Sequence, residues 1–132
     1  MTAVSLNAKG KFVDDQAPPG DRDIAVVLHL APVVLNFASQ LSLLPFGGAL
    51  LTYFLCRNRG PFLKDHAVEE LNFQISMLLY GFIAAVLAVI LIGLPMLLFL
   101  WVIGFVFPII AAIAAGKREY YRYPLTIRLV HG

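Results

Sequence analysis

The chain has 132 residues, 60% of them hydrophobic, with a mean hydropathy of +0.82 and a formal net charge of +2. Such a composition is expected of one compact membrane domain and not of a soluble enzyme held by an anchor. The 10 Lys and Arg and the 8 Asp and Glu fall within residues 9–23, 57–70 and 117–128, so residues 24–56 and 71–116 carry no charged side chain.

A hydrocarbon core about 30 Å thick takes roughly 20 helical residues, so each uncharged stretch is too long for one span and is expected to form a helical hairpin. The predicted fold is an all-α integral membrane protein with four transmembrane helices arranged as two hairpins. Both termini and the connector then share one side, where every Lys and Arg lies, and the bias of short loops toward basic residues puts that side in the cytoplasm, N-in and C-in. The basic residues are topology determinants and lipid-headgroup contacts, with no nucleic-acid partner expected. Cys56 is the single cysteine, which excludes an intrachain disulfide and a multi-thiolate zinc site.

Residues 1–23 contain Ala17-Pro18-Pro19-Gly20 and little apolar periodicity, which predicts a mobile cytoplasmic arm. Asp21-Arg22-Asp23 stands before the first span instead of a signal-peptide pattern, and Asp23 is expected to cap the first helix. Residues 24–56 form the first hairpin, with its turn at Ser39-Gln40-Leu41-Ser42 and Pro45 in the first turn of the second helix. Arms of roughly 14 to 19 residues reach only about 21 to 28 Å, so this hairpin is short for a bilayer. His29, Asn36 and Gln40 form an intramembrane polar stripe together with Pro32, and such a stripe faces protein or water in preference to lipid.

Residues 57–70 are the cytoplasmic connector. Gly60 and Pro61 end one helix, and Asp65 is expected to start an amphipathic helix that runs into the third span. Asp65, Glu69, Asn72, Ser76 and Tyr80 then descend one helix face, as a helix–helix interface satisfied by side-chain hydrogen bonds or as a functional or assembly surface. His66, Glu69 and Glu70 share the spacing of a ligand set, yet Glu69 and Glu70 suit a helix N-terminal turn and no second cluster completes coordination. No metal, catalytic or cofactor site is assigned.

Residues 71–116 form the second hairpin, divided at Gly93-Leu94-Pro95, with small residues such as Ala84, Gly104, Ala111 and Ala115 at its contact faces. Residues 117–132 form a cytoplasmic interfacial tail rich in Tyr and Arg. Alternation of Leu125, Ile127 and Leu129 with Thr126 and Arg128 predicts an extended segment, anchored on lipid or docked on the connector helix.

Three motifs carry a resemblance. They are Asp21 with Ile24-Ala25 and His29-Leu30; Pro61-Phe62 with Asp65-His66-Ala67, Glu69 and Leu71-Asn72-Phe73-Gln74-Ile75-Ser76; and Ala112 with Ala115-Gly116, Tyr120 and Tyr123-Pro124. The pattern resembles a bacterial four-span family of unknown function similar to the twenty-kilodalton Tic subunit of the chloroplast inner-envelope import machinery. That resemblance implies a bacterial inner membrane and a translocon-like accessory role.

The expected function is that of a non-enzymatic subunit of a membrane complex, with the lipid bilayer and a membrane-protein partner or a homo-oligomer as its contacts. Its interaction residues are expected to be Asp65, His66, Glu69, Asn72, Phe73, Gln74, Tyr123 and Pro124. The alternative is a homo-oligomeric pore or small-solute transporter lined by His29, Asn36 and Gln40. With no carboxylate inside either uncharged stretch, proton-coupled export lacks its exchanging group.

Overall fold

The computed structural model describes residues 4–39 and 43–131. Its elements are β1 (Val4–Leu6), β2 (Phe12–Asp14), α1 (Pro19–Ser39), α2 (Leu43–Cys56), α3 (Pro61–Ala88) and α4 (Gly93–Gly116). The expected turn at Ser39 to Ser42, and with it Gln40, lies outside the described residues apart from the backbone of Ser39.

Proline placement sets two helix starts. Pro19 opens α1, where its missing N–H costs nothing, and Asp21 in the first turn complements the positive helix end. The helix thus begins before Asp23, which lies inside it and does not cap it. Gly60, at φ 128°, adopts a backbone that other residues avoid and hands the chain to Pro61, the first residue of α3. Asp65 is therefore one turn inside α3. The expected boundary between connector and span at residues 70 and 71 falls within one continuous helix of 28 residues.

Residues 89–92 join α3 to α4, with Leu91 at φ 68°, so the turn comes just before the expected Gly93-Leu94-Pro95. Gly93 opens α4 because a Cβ there would overlap the carbonyl oxygen of Ala84. α1 packs against α2, α3 and α4, α2 against α3, and α3 against α4. One end of this bundle gathers the charged residues: Arg59 Nη2 approaches Asp21 Oδ1 at 3.9 Å.

The segment expected to be a mobile arm carries regular structure. β1 and β2 pair antiparallel, Ser5 opposite Val13, and the free edge of β2 joins the chain leaving α4. Asp14 N–H donates to the Arg118 carbonyl at 3.0 Å and Tyr120 N–H to that of Phe12 at 2.9 Å.

Polarity is arranged for a bilayer. Large apolar side chains such as Phe82 and Val89 point outward, whereas His29, His66, Glu70 and Asn72 are buried. Among the described residues, α3 and α4 are the helices long and apolar enough to cross a membrane. α2, with 14 residues, reaches only about 21 Å, so length and composition support two crossings directly and not the four expected.

Candidate functional site

Helical periodicity divides the polar residues of α3 between two faces. His66, Glu70 and Gln74, at steps of four, build a buried network with α1. Asp65, Glu69, Asn72, Ser76 and Tyr80 meet the C-terminal tail.

His29 of α1 is the hub of the network. Its Nε2 lies 2.8 Å from His66 Nδ1, and its Nδ1 lies 2.8 Å from Glu70 Oε2 and 2.9 Å from the Tyr123 hydroxyl. His66 Nε2–H donates to the Glu119 carbonyl at 3.0 Å, which leaves His66 Nδ1 to accept from His29 Nε2–H; both tautomers are assigned from these partners. The Tyr123 hydroxyl donates to Glu70 Oε2, and Gln74 Nε2–H donates to Glu70 Oε1 at 2.8 Å. The 2.8 Å contact between His29 Nδ1 and Glu70 Oε2 completes the set. The Tyr123 ring stacks on Phe73 with centroids 4.2 Å apart, and Phe62 packs edge-on against His66 at 4.5 Å.

The tail then runs as a strap along the other face. Arg122 forms a two-point ion pair with Asp65 at 2.7 and 2.8 Å. Glu69 Oε1 accepts from Tyr123 N–H and from Arg128 Nη2, both at 2.7 Å. Deeper along α3, Tyr80 donates to the Leu125 carbonyl at 2.6 Å and Ser76 Oγ accepts from Ile127 N–H at 2.8 Å. Leu125, at φ 59°, marks the return of the chain toward Asn72. Asn72 Oδ1 accepts from Leu129 N–H at 3.1 Å and Val130 N–H at 2.8 Å, while its Nδ2 donates to the Val130 carbonyl at 2.8 Å. Between Asp65 and Tyr80 the strap covers roughly 22 Å of helix. The polar groups of this non-helical backbone are taken up by α3 side chains.

The tail's titratable groups are tuned by these contacts. Burial, reinforced by the Glu70 carboxylate, holds the Tyr123 phenol well above its ordinary value. Burial and then Asp14 raise Tyr120, whose hydroxyl donates to Asp14 Oδ2 at 3.1 Å. The hydrogen bonds to Asp65 raise Arg122 and keep it charged.

Seven of the eight interaction residues expected from sequence, Asp65, His66, Glu69, Asn72, Phe73, Gln74 and Tyr123, meet at this site, and Pro124 is exposed in the strap. What occupies them is the chain's own tail, so the face expected to receive a partner is filled within one molecule. The polar stripe of α1 divides: His29 is enclosed in the network, while half-buried Asn36 packs near Gly104 of α4 and Gln40 lies outside the described residues. Glu70 and Arg128 were not among the expected site residues. Glu70 could have been found from its four-residue step to His66. Among the described residues no group of three or more His, Cys, Asp or Glu is placed to hold a metal ion.

No curated protein and no solved structure matches the chain. The resemblance to the Tic subunit is overturned by the family comparison, which matches residues 20–130 to a different membrane family and leaves no support for a translocation role. That match runs from the first turn of α1 to the end of the strap, and the chain belongs to the MamF/MmsF family, the magnetosome magnetite crystal formation protein family.

Proposed function

We propose that this chain acts in the formation of magnetite crystals as a non-enzymatic, multi-pass protein of the magnetosome membrane, crossing four times with both ends cytoplasmic. The observation that carries this reading is the family match over residues 20–130. The reading as non-catalytic is supported by the network, whose groups are hydrogen-bonded to one another and to the strap. Orientation follows from charge, because every Lys and Arg lies in the patches at the end of the bundle where the strap begins, or in the strap itself.

In that orientation the end facing the mineral compartment carries the apolar 89–92 turn, and residues 71–116 have no charged side chain with which to ligate iron. The protein then influences the crystal through its placement and associations in the membrane. A homo-oligomeric pore lined by His29, Asn36 and Gln40 is the weaker reading, since His29 is fully enclosed within one molecule.

Deletion of the gene in a magnetite-forming bacterium, followed by electron microscopy of the crystals, tests the proposal. Smaller or misshapen crystals restored by the wild-type gene are expected. An unchanged crystal population contradicts the reading.

A further inference from the structure

We infer that the strap-bearing face of α3 is a binding site for one anionic phospholipid, with its headgroup at Lys64 and its acyl chain laid down the strap. Two hollows flank the strap. The upper, of about 650 Å³, is lined by Lys64, Arg122, Arg128 and His131, with Val68 and Val130 as its apolar wall. The lower, of about 360 Å³, is almost wholly apolar and lies between Tyr80, Phe99, Ile103 and Leu125.

Charge selects the headgroup. In the upper hollow Asp65 is matched by Arg122 and Glu69 by Arg128, whereas Lys64 has no ion-pair partner among the described residues. One positive charge is left over at the level where α3 enters the bilayer, and basic pockets at that level attract anionic headgroups. His131 also lines the hollow and offers a further hydrogen-bond donor to a phosphate oxygen.

Apolar surface connects the two hollows. Val130 lines the upper and Leu125 the lower, and between them Ile127 and Leu129 turn outward, with Leu125 and Leu129 each 61% exposed. Beside a spanning helix, such a row is covered by lipid. A lipid with its phosphate at Lys64 places an acyl chain along this row and into the lower hollow. The inference stands on Lys64 and the two hollows and does not depend on the role in crystal formation.

The test uses the full chain in nanodiscs of phosphatidylcholine, with or without phosphatidylglycerol, read by native mass spectrometry of retained lipid and by thermal unfolding. Retention of a single phosphatidylglycerol is expected. Lys64→Gln should lower the preference about fivefold, Lys64→Arg should keep it, and both variants should unfold like wild type in phosphatidylcholine alone. Leu125→Ser should shorten retention while leaving the headgroup preference in place. Equal retention of the two lipids, or a preference that survives Lys64→Gln, overturns the inference. So does equal stabilisation by inorganic phosphate in phosphatidylcholine nanodiscs, which would make the hollow a free-anion site.

Discussion

Glu70 of α3 and His29 of α1 meet at 2.8 Å inside the bundle, both side chains without exposed surface, and the hydroxyl of Tyr123 in the tail touches both. Two helices and the strap are thereby tied at one point far apart in sequence. Breaking a buried pair by removing one member costs about 3–5 kcal/mol, because the other is left buried and unmatched. Glu70→Ala and His29→Ala should each destabilise by about that amount in detergent unfolding. The double replacement should cost less than the sum by at least about 1 kcal/mol, and strict additivity would deny the coupling.

Alkaline pH should loosen the strap. The folded-state pKa of the Tyr123 phenol is raised above its unfolded value of about 10, so its contribution is fully present below about pH 10 and is lost as pH rises toward the folded value. Spectrophotometric titration should show tyrosines that ionise only on unfolding. Tyr123→Phe should cost about 1–2 kcal/mol at neutral pH through the lost hydroxyl, and its stability should fall less steeply above pH 10.

Asn72 fixes the returning arm of the strap with three hydrogen bonds. Asn72→Leu should remove about 2–3 kcal/mol from that local docking. Trypsin cleavage after Arg128 should then accelerate more than about tenfold while the helix content measured by circular dichroism stays constant. Cleavage at the wild-type rate would mean that the strap is held elsewhere.

Two glycines should respond oppositely to Ala. At Gly93 a Cβ overlaps the backbone of Ala84 and Ala88, so Gly93→Ala should open the turn between α3 and α4 and cost at least about 2 kcal/mol. Gly47, inside α2, has nothing within 4 Å of its added Cβ, and Gly47→Ala should gain about 0.5–1 kcal/mol. Thermal unfolding of the two variants compares the effects directly.

Local periodicity explains what could be read from the sequence. The stripe Asp65, Glu69, Asn72, Ser76 and Tyr80 is visible because helical steps alone place it on one face, and the outward row Leu125, Ile127 and Leu129 follows from strand alternation. The role of Glu70 is hidden in the sequence because its partners His29 and Tyr123 are 41 and 53 residues away, and its four-residue step to His66 alone does not name them. The N-terminal hairpin was missed because its strands are only 3 residues each, too short for a period to register, and the Glu119 bridge that extends them is non-local. The family was misassigned for a related reason. Spaced apolar helices flanked by charged patches are a pattern that many small membrane bundles share.

The central claim is that both hairpins cross the membrane with the charged end of the bundle in the cytoplasm. Single cysteines in a Cys56→Ser background, at Lys9, at Ser42 and at Ile90, treated with an impermeant thiol reagent in right-side-out and inverted vesicles, test it most directly. The account predicts labelling of positions 42 and 90 from the outer face only and of position 9 from the cytoplasmic face only. Labelling of position 42 from the same face as position 9 would make the first hairpin re-entrant and contradict the claim.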